Sequence, residues 1–240
     1  MFLKQTTTSK TVIRLSDESI SYVTLKKSPQ GFFVHQHESA DIPEGIIVRG
    51  EILQPELLVK VLRKIAGTLE NKKVDLLLAH EYFLCNRVEL DRVKKPTHLK
   101  KRVKQYFKNT KVPEPWHTSH VCEFTLAADT ESNPNMVLFS CLPKDSYNTY
   151  TYVFQKSGLD LVDIQSEALV LGDLLPSEAS FLHVEEDVIR VLEFRSGLYY
   201  SQKTFASGGK RFLSEITETL GIENTEGLKI FKRYGFLRAH

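Results

Sequence analysis

Apolar and polar positions along the chain fall into short runs that switch repeatedly between a two-residue and a helical period. Residues 12–13, 20–25 and 31–37 predict three consecutive strands, joined by the polar turns Ser16-Asp17-Glu18-Ser19 and Ser28-Pro29-Gln30-Gly31. Beyond Gly50-Glu51-Ile52, the residues Leu57, Leu58, Val61, Leu62, Ile65 and Leu69 recur at helical spacing, with Lys60, Arg63 and Lys64 on the polar side. The largely apolar run Val74-Asp75-Leu76-Leu77-Leu78-Ala79 reads as a strand buried in a layered sheet.

A second pattern starts near Glu81. A strand over 83–90 precedes a helix from Thr97, behind Pro96, with Leu99, Val103 and Phe107 on one face. Strands over 120–128 and 136–142 and a helix over 145–156 come next, closed by Ser157-Gly158. The order strand, helix, strand, strand, helix predicts a small α+β module. The chain then returns with a strand over 159–164 and an apolar helix (Ala168 to Leu175) stopped by Pro176. The opening three-strand pattern recurs over 181–184, 188–194 and 198–205, before Gly208-Gly209 and a helix carrying Phe212, Leu213, Ile216 and Leu220. The pattern therefore predicts a duplicated α/β fold with residues 1–80 as a first half and 81–157 as an inserted subdomain. Residues 158–179 return to the first half, and 180–240 begin a second, incomplete half.

Composition narrows the function classes. With 41% apolar residues among 240, the chain can bury a substantial core. No apolar run reaches the ~18–20 residues of a membrane-spanning helix, and Met1 to Ser9 carries no signal-peptide core. A cytosolic protein is expected. The net charge of +2 gives no case for nucleic acid. Cys85, Cys122 and Cys141 form no CxxC pair and sit among apolar neighbours, so free buried thiols are expected. His117, His120 and Cys122 are closely spaced, but nothing completes a zinc pattern, and no metal site is predicted. Walker A, GxSxG and HExxH motifs are absent. Between Arg92 and Lys111 lie nine basic residues and no acidic one. Lys100, Lys101, Lys104 and Lys108 share a helix face suited to an acidic partner or an anionic membrane surface, and equally to solvent.

Several segments fall in a telling order. They are Ile42-Pro43-Glu44-Gly45-Ile46-Ile47, Leu142-Pro143-Lys144-Asp145, Lys156-Ser157-Gly158-Leu159-Asp160, Ala206-Ser207-Gly208-Gly209-Lys210 and Glu226-Gly227-Leu228-Lys229. Together with the duplicated halves, they resemble the PilM family of type IV pilus assembly, which is related to the division protein FtsA. The resemblance implies an actin-like (ribonuclease H-like) fold. It also implies a scaffold that binds the cytoplasmic tail of a bitopic inner-membrane partner (PilN) between the first-half core and the insert, and couples it to the assembly motor.

The same resemblance locates the nucleotide motifs, and this chain departs from them. Where the family's first hairpin carries Asp-(Ile/Val)-Gly against the phosphates and magnesium, this chain has Arg14-Leu15-Ser16; Ser21 stands where a lysine is frequent. At the second hairpin it has His183-Val184-Glu185. A glutamate there repels phosphate, and losing glycine blocks close backbone approach. Gly208-Gly209 remains, and the resemblance implies a nucleoside-side turn there, although a Gly-Gly pair before a helix is equally an ordinary strand-to-helix connection. The resemblance thus implies a non-catalytic protein without an ATP or magnesium cofactor, peripheral at the inner face of the cytoplasmic membrane. The alternatives are an active actin-like ATPase using Asp17 or Asp187, an FtsA-like division scaffold, and the cytoplasmic part of a type II secretion platform.

Overall fold

The computed structural model of the chain describes residues 9–89, 101, 102, 105, 120–126, 136–176, 178–184, 188–195 and 197–234. By internal contacts the chain divides into two compact units, residues 1–173 and 174–240.

In the first unit, strict alternation builds the sheet. Strand β1 (Ser9–Leu15) buries Thr11, Ile13 and Leu15 on one face, and β2 (Ser19–Ser28) buries Ile20, Tyr22 and Thr24. Strand β3 (Gly31–Asp41) completes the antiparallel run. A small hairpin comes next, β4 (Ile47–Val48) and β5 (Glu51–Ile52), then helix α1 (Pro55–Thr68). Pro55 in the first turn of α1 has no N–H to leave unpaired there. The helix turns Leu58, Val59, Leu62, Ile65 and Ala66 inward. Strand β6 (Lys73–Leu78) returns parallel to β1, with Val74, Leu76 and Leu78 buried.

The next strands form a separate three-stranded sheet, ordered β7 (Leu84–Glu89), β9 (Met136–Pro143), β8 (His120–Leu126). Helix α2 (Lys144–Ser157) succeeds them. Gly158, with φ at 83°, ends it in a paired reversal: Gly158 N–H donates to Gln155 O, and Leu159 N–H to Phe154 O. The sequence places α2 in the inserted module, but its apolar face (Tyr150, Val153 and Phe154) lies in the same core as α1 and the first sheet. Each such fully buried side chain contributes about 1.5–3 kcal/mol. Strand β10 (Asp160–Ser166) then pairs parallel to β6, giving a five-stranded sheet in the order β10-β6-β1-β2-β3. Helix α3 (Glu167–Leu174) leads onward.

The second unit opens with the same motif: β11 (Glu178–Val184), β12 (Ile189–Arg195) and β13 (Leu198–Phe205) form an antiparallel three-stranded sheet. Leu192, Phe194 and Leu198 are its buried centre. Helices α4 (Gly209–Leu220) and α5 (Asn224–Tyr234) pack on each other where Gly227 leaves room for Thr217.

One sequence expectation is corrected. Cys122 and Cys141 are not free thiols but a disulfide. Antiparallel pairing puts them directly opposite on β8 and β9, with Cα atoms 4.1 Å apart. That register is a tertiary fact, invisible in the spacing of the cysteines. Cys85 alone is free, and half-buried. Thiol titration of the unfolded, unreduced chain is accordingly expected to find one thiol, rising to three after reduction. Three thiols before reduction contradict the cross-link.

Candidate functional site

In open α/β sheets, ligands gather at the carboxyl ends of parallel strands. In this chain β1, β6 and β10 end level with one another, Leu15 pairing with Leu78 and Leu78 with Ser166. The segments leaving these three strands therefore form one crest. It comprises the Ser16-Asp17 turn after β1, the 3-10 turn His80–Tyr82 after β6, and Glu167 after β10. Arg14, one residue before the end of β1, belongs to the same crest.

The groups on this crest have partners within the protein. Arg14 Nε donates to Glu167 Oε1 in an ion pair whose two side chains are only 26% and 13% exposed. Ser16 is folded into its own turn: its N–H donates to Ser19 O at 2.9 Å, and its hydroxyl accepts from Ser19 N–H at 3.1 Å. The Ser16 N–H is thus already used within the turn. Ser21 lies opposite Arg14 on β2.

Asp17 accepts from three donors. Arg49 and Gly50 form the two-residue turn between β4 and β5, with φ at 51° and 75°. Positive φ at both positions is what a type I′ hairpin turn requires. Successive N–H groups in such a turn make a concavity that binds anions, and Asp17 supplies the anion. Arg49 N–H donates to Oδ2 at 2.5 Å and Gly50 N–H to Oδ1 at 3.0 Å. Tyr82 Oη donates to Oδ1 at 2.6 Å, while Tyr150 Oη donates to Gly50 O at 2.7 Å. Burial first, and the Asp17 carboxylate second, push both phenols above their ordinary range. They remain neutral donors at any physiological pH. Two strands, a hairpin turn and α2 are thereby knotted around one carboxylate.

Beside the knot lies a second buried polar group. His80 Nδ1 is 3.2 Å from Ser166 Oγ and 3.5 Å from Cys85 Sγ, and the thiol donates to Ser140 Oγ at 3.3 Å. Burial lowers the His80 pKa to about 4 and raises that of Cys85 to about 11. A neutral imidazole beside a protonated thiol is not an activated nucleophile. The histidine does make stability depend on acid. Its folded pKa lies below the unfolded value of about 6.5, so the unfolded chain binds more protons between the two. Stability is full above about pH 6.5 and falls toward pH 4, by roughly 2–3 kcal/mol from this group. In urea unfolding, the gap between wild type and His80→Gln is expected to narrow by that amount between about pH 7 and about pH 4.5. A constant gap excludes the assignment.

The remaining sequence candidates are dispersed. His183 lies near the end of β11, its ring 6.2 Å from that of Phe181; Glu185 and Asp187 lie outside the described residues. Gly208 precedes α4, with Gly209 its first residue, and φ at Gly208 is −96°, open to any residue. The pair leads from β13 into α4. Lys101 is exposed, and Lys100, Lys104 and Lys108 lie outside the described residues. Among the described residues no cluster of metal ligands occurs, and no helix is long and apolar enough to cross a membrane. Sequence reasoning assigned no site role to Glu167 or Tyr150. Only Arg49-Gly50, a glycine-bearing pair between Ile47-Val48 and Glu51-Ile52, carried a local signal of the turn that Asp17 fills.

No protein-family model matches the chain, and no curated protein does either. Its fold, however, is found among solved structures. The chain is similar to the PilM-PilN type IV pilus biogenesis complex, at 12% identity and a TM-score of 0.67, over 94% of this chain and 70% of that one. It is also similar to the cytoplasmic domain of EpsL, an inner membrane component of the type II secretion system of Vibrio cholerae. There the identity is 12% and the TM-score 0.51, over 83% of this chain and 71% of that one. At such identities the likeness establishes architecture alone: the chain has an actin-like α/β fold.

Proposed function

We propose that this chain is a non-catalytic, actin-like scaffold of a pilus-assembly machine, holding the cytoplasmic tail of an inner-membrane partner. The observation that carries this reading is the ion pair of Arg14 with Glu167 on the crest of β1, β6 and β10. A guanidinium stands where a nucleotide-hydrolysing site needs a carboxylate for magnesium, and its charge is already matched from within the chain. Asp17, the substitute carboxylate that the first hairpin offers, is spent on Arg49, Gly50 and Tyr82. The likeness to PilM in its complex with PilN supports a membrane-protein tail as the partner and the inner face of the membrane as the place of work.

Calorimetric titration tests both halves of the proposal. A peptide copying the N-terminal cytoplasmic tail of a PilN-like membrane protein is expected to bind saturably, whereas ATP with magnesium gives no heat. Absence of peptide binding sinks the scaffold reading. Saturable, magnesium-dependent ATP binding revives the ATPase reading instead. The likeness to the EpsL cytoplasmic domain supports a second version of the scaffold, in a type II secretion platform. Which tail binds, that of a pilus protein or that of a secretion protein, decides between them.

A further inference from the structure

Strand β3 is outermost in the first sheet, and no other strand among the described residues pairs with its outer edge. Its end nearest the hairpin turn is strongly apolar and open: Phe32, Phe33 and Val34 are 61%, 49% and 61% exposed. Antiparallel partners share a face of the sheet. Phe32 opposite Lys27 and Val34 opposite Leu25 therefore lie on one face, and Phe33 opposite Lys26 on the other. The register shifts at His35, which has no partner on β2, because Thr24 pairs with Gln36 and Leu25 with Val34. Such a bulge blunts an edge against further pairing. It divides the strand into an apolar end, Phe32 to Val34, and a polar remainder. The described part of β1 begins at Ser9, opposite Lys26, so Lys27 to Phe32 extend beyond it.

The arrangement selects its occupant. An added strand would satisfy the backbone edge but leave both faces of the ribbon, where these side chains stand, largely open. A second copy has too little to bury, because three residues per chain fall far short of the ~1,200 Å² of a stable protein interface. A lipid headgroup–acyl boundary encloses a thin ribbon on both faces at once, and exposed Lys27 stands beside it for anionic headgroups.

We propose that the end of the β2–β3 hairpin, Lys27 to Val34, inserts Phe32, Phe33 and Val34 into the interfacial layer of an anionic lipid bilayer. The inference rests on the reading of the protein as working at a membrane, and deepens it by naming the element that touches lipid. Three side chains give weak, reversible contact, suited to orienting a scaffold whose main hold is a protein partner.

Flotation of the full chain with phosphatidylethanolamine–phosphatidylglycerol vesicles, against phosphatidylcholine vesicles, tests it. The wild type is expected to float with the anionic vesicles, and Phe32→Ser with Phe33→Ser to lower its partition roughly tenfold or more. Lys27→Glu should weaken binding to the anionic vesicles only. Circular dichroism and tail-peptide binding of the double variant should match wild type, because the substituted side chains are exposed. Failure of the wild type to float, or equal flotation of the double variant, overturns the proposal. So does a wild-type dimer in sedimentation that the double variant abolishes, which would make a second copy the occupant. A wild type that floats with the anionic vesicles but binds no tail peptide would instead count against the scaffold reading alone.

Discussion

Gly50→Val is expected to cost the folded state about 4 kcal/mol, composed of two separable costs. The first is conformational. Gly50 has φ at 75°, in the left-handed region that costs a side-chain-bearing residue roughly 1–2 kcal/mol and a β-branched one the most. The second is steric. A Cβ at this position would lie 2.3–2.6 Å from three ring atoms of Tyr82. That ring cannot step aside cheaply, because its hydroxyl is held by Asp17 and its flank packs on the main core. Overpacking of that kind adds about 1–3 kcal/mol. Gly158 provides the control, since its φ is 83° but nothing lies within 4 Å of its Cβ position. Gly158→Ala should show the conformational cost alone, about 1 kcal/mol. Urea unfolding of both variants separates the terms. Equal losses at the two glycines would mean that Tyr82 is free to move, and that the knot around Asp17 is loose.

Much of this fold is legible in the sequence, for a physical reason. Strands with one buried face must alternate, and the alternation of Thr11, Ile13 and Leu15, repeated near residue 181, announces both three-strand motifs. Likewise α1 shows its core face through Leu58, Leu62 and Ile65, and Ser157-Gly158 marks a helix end that the structure closes with Gly158. Every relation set by tertiary register stays hidden. Arg14 reads as a lost carboxylate; that its charge is answered by Glu167, 153 positions on, emerges only once β10 lies in the sheet and brings α3 to the crest. The two cysteines look unrelated until β8 and β9 pair. Helix α2 reads as the last element of a separate module, yet Tyr150 reaches Gly50 across 100 residues. Asp17 and Glu18 are indistinguishable as turn carboxylates in one dimension. Only the β4–β5 hairpin, too short to give a periodic signal, gives Asp17 its role.

Asp17→Ala is expected to lower stability by roughly 4 kcal/mol, because three donors lose a charged acceptor, each such bond contributing about 1.5 kcal/mol net. Two of those donors are backbone N–H groups of a turn that holds Arg49 at φ 51°, a conformation that needs outside support. The third, the Tyr82 hydroxyl, is left in a largely buried place. Asp17→Asn keeps an acceptor oxygen and should lose less, and Tyr82→Phe less still. In a double-mutant cycle Asp17 and Tyr82 should couple by at least about 1 kcal/mol. The opposite behaviour identifies a functional carboxylate. A group reserved for magnesium stands near other charges without repayment in the free protein, and its removal leaves stability unchanged or raises it. A stable Asp17→Ala that loses ATP binding would therefore restore the enzyme reading. A destabilised one, with ATP binding absent before and after, leaves the crest of β1, β6 and β10 as a knot that has taken the place of a nucleotide site.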